Sequence, residues 1–415
     1  MKFLHHYINS FNGLNRSIWY LSIVTLINRA GTMVIPFLSI YMQEELSFTK
    51  SQIGWILAIF GLGSLAGSWI GGKLSDRFGF YPIMVLSMFG TGIGFVLLQF
   101  LHTFEALCIG IFLLLIIADS FRPASFSAII SYSKPKDKTR SITLIRLAIN
   151  LGFMAGPAVA GLIIVAQGYT LLFWIDGLTC LVAAGMIVAL LHPEKNKLAS
   201  NETEVVTPTK KDESVISNSA LKDKIYLQFL FVVFLIGFIF MQLFSTIPLY
   251  FKESLGYNEA LIGRIMLLNG VIIVLFEMPL VSWFEKKRMS KLKVIQFATL
   301  LMALSYFVLP IHATILIVIF STILVSVGEM LGFPFTNGLA MDKAPENKAG
   351  EYLGLYTMAF SLSHIVGPAV GMQVAEKFGF DAVWFLMGII GLLAITLIER
   401  LKRTIKARDL KMATT

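Results

Sequence analysis

Charged side chains stand inside long apolar stretches of this chain, where they could bind an anion or exchange a proton. They are Arg29, Asp119, Arg122, Arg146, Asp176, Glu277 and Glu329. A charge at the centre of a bilayer costs at least about 2.5–3.5 kcal/mol, so such a residue usually faces a partner or a water-filled cavity. The sequence therefore predicts a polar site within an apolar bundle.

Glu329 and Asp119 are the candidates for proton exchange. Arg122, three residues after Asp119, shares its helix face, and Arg146 is predicted at a similar depth, so Asp119 is expected to stay ionised. Glu329 has no cation on its own predicted helix, and a buried carboxylate without a cation accepts a proton more easily. Glu329 is therefore placed ahead of Asp119. The alternative is that Asp119 forms a static salt bridge that only fixes packing.

The substrate-binding candidates are polar side chains on the predicted helices. They are Asn28, Arg29, Arg122, Arg146 and Gln242. Arg29 could bind an anionic group, or it could be the counter-ion of one of the two carboxylates. Gln242 is the one amide in a stretch of aromatic residues and methionine, and it is predicted to line an adaptable apolar cavity.

The elements that position these side chains are predicted to be transmembrane helices. The chain has 415 residues, of which 56% are hydrophobic and 14% charged, with a mean hydropathy of +0.76, whereas soluble domains carry about 25% charged residues. Its apolar runs are roughly 20 residues long, enough to cross a bilayer as a helix. Twelve spans are predicted, approximately at 18–41, 51–72, 81–101, 104–131, 141–166, 170–192, 225–251, 259–282, 292–311, 314–338, 351–375 and 381–399.

The basic residues predict the orientation of these spans. With both termini in the cytoplasm, 27 of the 34 Lys and Arg residues lie in cytoplasmic segments and 4 in outer loops. This asymmetry is the one that the positive-inside rule requires of a protein in the cell membrane. The polar stretch 193–224 cannot bury a core, so it is expected to be a linker between a half at 1–192 and a half at 225–415.

The two halves repeat in sequence. Tyr41–Leu46 matches Tyr250–Leu255, and Ile53-Gly54 matches Ile262-Gly263, in both cases 209 positions later. Each half has an even number of spans, so the predicted fold is an all-α membrane protein of two six-helix halves, related by a pseudo-two-fold axis along the membrane normal. Gly156-Pro157 and Gly367-Pro368 also correspond, and they are expected to bend the fifth and eleventh helices.

A charged segment follows the second span of each half. The first is Gly71–Gly79, which includes Gly72, Asp76 and Arg77, and the second contains Glu285-Lys286. Both are expected to lie in short cytoplasmic turns and to act as gates between moving halves. The alternative is that these charges only set the topology.

The chain resembles the major facilitator superfamily over nearly its whole length. Gly71–Gly79 looks like the signature that follows that family's second helix, and Gly152–Gly161 looks like the fifth-helix signature associated with antiporters. The family's fourth-helix signature is absent, and Asp119–Pro123 stands there instead. The resemblance implies a secondary transporter that works by alternating access and takes its energy from a proton gradient.

The expected activity is proton-coupled export of small amphipathic or drug-like molecules. The three buried arginines leave open proton-coupled uptake of a small anionic metabolite or peptide, and a membrane receptor is the alternative of another class. No enzyme is expected, because the sequence has no metal-ligand spacing, nucleophile–base motif or phosphate-binding loop. The predicted partners are a small-molecule substrate and the lipid bilayer, without nucleic acid or cofactor, and the chain is predicted to be monomeric.

Overall fold

The structure, a computed structural model, describes residues 13–134, 137–191, 193, 220–311, 314–345 and 348–414. In these ranges the regular elements are helices, and most of the predicted linker, 194–219, lies outside them. The α-helices are α1 (Arg16–Ala30), α2 (Val34–Glu44), α3 (Lys50–Phe78), α4 (Phe80–Leu98), α5 (Phe104–Asp119), α6 (Phe121–Tyr132), α7 (Lys138–Gln167), α8 (Thr170–Leu190), α9 (Lys224–Phe240), α10 (Thr246–Glu253), α11 (Glu259–Lys286), α12 (Lys291–Phe307), α13 (Ile315–Lys343), α14 (Ala349–Phe378) and α15 (Phe380–Thr414).

Eleven helical stretches in the described ranges are long and apolar enough to cross a membrane. Three of them combine two helices across a break: α1 with α2, α5 with α6, and α9 with α10. The predicted ninth span corresponds to α12, which has 17 residues and a length of about 26 Å at 1.5 Å per residue. Hydrogen-bonded turns carry the chain on to Ile311. The helical membrane fold is therefore as predicted.

The described residues form two compact units. One contains the described parts of Met1–Ile35 and Leu62–Ile216, and the other contains Pro36–Gly61 with the described parts of Ser217–Thr415. These units differ from the predicted halves in one respect. Most of α2 and the first part of α3, residues 36–61, belong to the same unit as helices α9 to α15.

Small residues set the packing in the first unit. Gly63, Gly67 and Gly71 recur on one face of α3, and a Cβ at Gly67 would lie 2.6 Å from the carbonyl oxygen of Leu115. At Gly71 the same atom would lie 2.4 Å from the Cα of Ser120. Such small-residue faces let helix backbones approach closely in membranes. They hold α3 against α5 at the point where Asp119 ends α5.

A buried carboxylate stabilises the break between α1 and α2. Asp176 of α8 has no exposed surface. It accepts hydrogen bonds from the backbone N–H of Met33 at 2.9 and 3.0 Å and from that of Val34 at 2.9 Å. These N–H groups start α2 and have no partner inside the helix, so Asp176 caps α2 from a neighbouring helix.

In the second unit, a glutamine bridges the corresponding break between α9 and α10. Gln242 has no exposed surface. Its Nε2 donates to the carbonyl oxygen of Gly367 at 2.9 Å, and its Oε1 accepts from the hydroxyl of Thr246 at 2.6 Å. Gln242 was expected to line a cavity, but its amide is satisfied within the protein. The structure shows that its amide bonds across the break, and its contact with a substrate stays a prediction.

The charged segment Gly71–Gly79 lies mostly in a helix and not in a turn. Helix α3 continues to Phe78, and only Gly79, with φ of +85°, makes the turn into α4. Gly71 serves close packing against Ser120, whereas the nearest atom to a Cβ at Gly72 would be 3.9 Å away. Gly79 therefore forms the predicted turn, whereas Gly71 and Gly72 lie within the helix, and of these two only Gly71 needs its small size for packing.

The second charged segment is also helical. Glu285 and Lys286 are exposed at the end of α11, and the turn that follows contains Arg288 with φ of +49°. Asp76 and Arg77 are likewise exposed on the last turn of α3. All four charges thus lie at helix ends.

Candidate substrate and proton site

The first cluster of candidate residues lies around Arg29, on the last turn of α1. A Cβ at Gly152 of α7 would be 2.5 Å from the Cβ of Arg29, so only glycine allows this approach. The Arg29 guanidinium carbon lies 5.4 Å from the centroid of the Phe153 ring. Its Nε is buried and has no hydrogen-bond partner among the described residues. Arg29 therefore offers a donor that the described part of the protein does not use.

Asp119 and Arg122 belong to the same cluster. Asp119 accepts a hydrogen bond from the Ser64 hydroxyl of α3, and the Arg122 Nη2 lies 4.0 Å from its Oδ1. The Arg122 side chain is 67% exposed, and a pair of this kind contributes about 0–1 kcal/mol. Both residues are within electrostatic reach of Arg29. Asp119 and Arg122 are therefore close to each other, as predicted, and Arg29 interacts with both of them electrostatically.

Two further predicted residues of this unit lie on α7 and α1. Arg146 is exposed on α7. Asn28 is buried, and its Nδ2 donates to the Cys180 Sγ of α8 at 3.5 Å. This bond directs the Asn28 amide toward α8, so the prediction that it binds substrate has no support in the geometry.

The second cluster surrounds Glu329 in the other unit. Asn269 of α11 donates from Nδ2 to the Ser326 hydroxyl at 2.8 Å and to the Glu329 Oε2 at 3.4 Å. Glu329 is partly buried, and its carboxylate makes no ion pair within the described ranges. Glu277 is its electrostatic neighbour. The cluster joins α11 to α13 through an acid, an amide and a hydroxyl.

Sequence reasoning missed Asn269, Ser326 and Ser64. Ser326 precedes Glu329 by three residues, so the helical period already placed the two on one face. Asn269 and Ser64 are uncharged residues in apolar helices, and only tertiary packing shows which carboxylate each one contacts.

The glycines of both Gly-Pro pairs pack against the helix breaks. A Cβ at Gly156 would lie 3.2 Å from the Ala30 carbonyl oxygen, and one at Gly367 would lie 3.1 Å from the Phe238 carbonyl oxygen. Helices α7 and α14 both continue through their prolines, Pro157 and Pro368. The glycines therefore allow close packing, and the bending expected from the prolines stays a prediction.

Ionisable side chains within membrane-crossing helices and broken helices are both typical of membrane transport proteins. Among the described residues, no three His, Cys, Asp or Glu side chains come together as metal ligands. The sequence profile of the Major Facilitator Superfamily matches residues 21–368. The chain belongs to this family.

The sequence relatives of the chain include an antiporter and a multidrug resistance protein. The chain is 23% identical over 394 residues to the "Na(+), Li(+), K(+)/H(+) antiporter" of Planococcus maritimus, covering 88% of this chain and 91% of that protein. It is 21% identical over 367 residues to the "Multidrug resistance protein MdtH" of Yersinia enterocolitica, covering 88% of each. A crystal structure of a POT family transporter in complex with 5-aminolevulinic acid superposes with a TM-score of 0.78 at 16% identity, over 95% of this chain and 98% of that one. This last likeness supports the fold.

Proposed function

We propose that this chain is a proton-coupled secondary transporter that exports small amphipathic or drug-like molecules by alternating access. The observation that carries the proposal is the Glu329 cluster, where a carboxylate without an ion pair in the described ranges accepts from the Asn269 amide and has the acidic Glu277 as its electrostatic neighbour. The names of the two sequence relatives, a cation/H+ antiporter and a multidrug resistance protein, support antiport and export.

The hydrogen bonds of Asn269 suit a carboxylate that gains and loses a proton. Its Nδ2 is closer to Ser326, at 2.8 Å, than to Glu329, at 3.4 Å. When Glu329 is protonated, its oxygen becomes a weaker acceptor, and the amide keeps its bond to Ser326. Neither protonation state then leaves the Asn269 donor unpaired, which would cost about 1–3 kcal/mol.

A second candidate activity is proton-coupled uptake of a small anionic metabolite or peptide. It is favoured by the buried Nε of Arg29, which has no hydrogen-bond partner among the described residues, and by the exposed guanidinium of Arg122. An anionic group between these two arginines would gain charge-assisted hydrogen bonds. In this case Asp119 would be a competing anion, and substrate would displace it from Arg122.

The remaining expectations complete the proposal. The protein is placed in the cell membrane as a monomer with cytoplasmic termini, powered by a proton gradient without a cofactor. Asp76, Arg77, Glu285 and Lys286 act as cytoplasmic gate residues. Their exposed positions at helix ends leave them available for contacts that change during transport.

The test is substrate movement in proteoliposomes under an imposed proton gradient. The substrates are a lipophilic dye for export and a small carboxylate for uptake. Glu329→Gln should abolish gradient-driven accumulation of either substrate but leave downhill exchange. Thr322→Val, which removes a hydroxyl that bonds within α13 to the Val318 carbonyl oxygen, is the matched control and should retain gradient-driven transport.

The outcomes separate the alternatives. Transport that ignores the gradient in the wild type contradicts proton coupling. If Asp119→Asn loses accumulation while Glu329→Gln keeps it, Asp119 is the proton carrier. Carboxylate uptake that is lost in Arg29→Ala, without dye transport in the wild type, favours the second activity.

A further inference from the structure

Helices α12 and α15 of the second unit pack against each other in antiparallel orientation. A Cβ at Gly391 of α15 would lie 2.6 Å from the Cβ of Ala303 of α12. Further along α15, the Lys402 ammonium donates a hydrogen bond to the Gln296 Oε1, nearer the start of α12. The end of α15 therefore lies beside the start of α12, and these contacts show which face of each helix is directed toward the other.

An exposed apolar stripe on α12 lies next to its contact with α15. Its members are Phe297, Leu300 and Leu304. At 3.6 residues per turn, these side chains point about 40–100° away from the direction of Gln296, which contacts α15. Lys293 is also exposed and falls in the same sector, one turn before Phe297. The stripe therefore ends in a cation at the start of α12.

Helix α15 presents a matching stripe. Phe385, Ile389 and Leu392 are exposed, and Arg403 lies on the same face about three turns after Leu392. The centroid of the Phe385 ring lies 6.4 Å from that of Phe307 of α12, so this stripe also borders α12. Each stripe is displaced from the contacting face in the same rotational sense about its own helix axis. For antiparallel helices this places both stripes on one side, where they form an apolar groove.

Basic side chains lie at one end of this groove, at the level of lipid headgroups. From Phe380 to Arg403 α15 rises about 35 Å at 1.5 Å per residue, which slightly exceeds the hydrocarbon core of about 30 Å. Arg403 and Lys406 are exposed at this end of α15. Since the end of α15 lies beside the start of α12, Lys293 belongs to the same group.

Positive charge is in excess at this end of the groove. Glu399 lies 3.1 Å from the Lys402 Nζ and 3.8 Å from the Arg403 Nε. Lys293 and Lys406 make no ion pair within the described ranges. The cations therefore outnumber the carboxylate, and the end of the groove is complementary to an anionic headgroup.

We propose that the groove between α12 and α15 binds one anionic glycerophospholipid. An acyl chain lies on the apolar stripes, and the phosphate accepts charge-assisted hydrogen bonds from Lys293 and Arg403. A free anion would use the cations alone, whereas a phospholipid also covers the exposed aromatic and aliphatic side chains next to them. This site contains none of the residues of the proposed substrate and proton sites.

The experiment measures the preference of the groove for an anionic lipid. A fluorophore is attached at Leu300→Cys in a Cys108→Ser chain, in which the remaining native thiol, Cys180, is buried. The protein is reconstituted in phosphatidylcholine that contains either brominated phosphatidylglycerol or brominated phosphatidylcholine. Quenching of the fluorophore by bromine gives the relative affinity of the two lipids. The otherwise unchanged chain should prefer phosphatidylglycerol by at least about fivefold, because one basic residue near the membrane surface already accounts for about this factor.

Substitutions at the basic end of the groove test its role. Lys293→Gln and Arg403→Gln should each lower the preference by up to about fivefold, and the double variant should abolish it. Lys293→Arg keeps the charge and should keep the preference. Lys377→Gln is the matched control and should change nothing, because it removes an exposed cation close to the start of α15, at the end far from Arg403.

Two results would overturn the proposed lipid site. The first is equal quenching by the two brominated lipids without any substitution at the basic end. The second is an equal loss of preference in Lys377→Gln and in Lys293→Gln, which would assign the preference to the net charge of the protein. The measurement uses no substrate and no proton gradient, so failure of this site and failure of the proposed function are distinguishable.

Discussion

Replacing Asp176 should release the start of α2, because this carboxylate is the acceptor for two buried backbone N–H groups. Met33 and Val34 are 8% and 3% exposed, so their N–H groups have little access to water. A buried donor without an acceptor costs about 1–3 kcal/mol. Asp176→Ala should therefore destabilise the break by about 2–6 kcal/mol in total. Asp176→Asn keeps one acceptor oxygen and should cost about half as much.

A thiol near the break gives a local assay. Cys180 lies one turn after Asp176 on α8, is 3% exposed and accepts from the Asn28 amide. In a Cys108→Ser background, Cys180 is the remaining thiol, and its reaction with a maleimide reports opening between α1 and α8. A loss of about 2 kcal/mol should raise the labelling rate roughly 30-fold in Asp176→Ala.

A control from α1 distinguishes the cap from general loss of stability. Thr25 is buried, and its hydroxyl donates to the Leu21 carbonyl oxygen at 2.7 Å within the helix. Thr25→Val removes this bond but leaves no backbone N–H unpaired, so the labelling rate should change less than about threefold. If Asp176→Ala labels at the wild-type rate, or no faster than Thr25→Val, the cap does not hold the break.

Two further substitutions test the packing of each unit. Gly71→Ala should lower the folded yield and the thermal unfolding midpoint, because its Cβ would lie 2.4 Å from Ser120. Gly72→Ala is the control and should be tolerated, because its Cβ would lie 3.9 Å from the nearest atom. Equal effects of the two substitutions would contradict the packing role of Gly71. Tyr226→Phe removes the 2.6 Å hydrogen bond from the buried hydroxyl to the Tyr352 carbonyl oxygen and should destabilise the second unit by about 0.5–1.5 kcal/mol. An unchanged unfolding midpoint would show that this bond adds nothing net.

The sequence predicted the membrane helices because apolar runs of about 20 residues are a strong local signal. It did not predict the breaks after Ala30 and Phe240. Their cause is tertiary, since Asp176 and Gly367, which supply the bonds at these breaks, are more than 100 positions away in the chain. The misplaced turn at Gly71–Gly79 has a similar origin, because glycine suits both a turn and a helix contact.

The sequence predicted only part of the candidate site, because its other contacts depend on tertiary packing. The proximity of Asp119 and Arg122 follows from helical spacing, and the structure shows it at 4.0 Å. The partners Ser64 and Asn269 come from other helices, and polar residues of this kind are common in packed membrane helices. The charged residues of the site could be identified from the sequence, whereas the neutral residues that complete each cluster could be identified only from the folded structure.

The break between α1 and α2 bears on the choice of substrate. In transporters with discontinuous helices, the positive N-terminus of a half-helix often binds an anionic substrate group. At α2 this position is occupied by the carboxylate of Asp176, with hydrogen bonds of 2.9–3.0 Å. An anionic substrate would therefore have to rely on arginine side chains in this unit. Arg29 and Arg122 already have Asp119 within electrostatic reach, so such a substrate must compete with a built-in carboxylate. This competition favours an uncharged or amphipathic substrate over an anion.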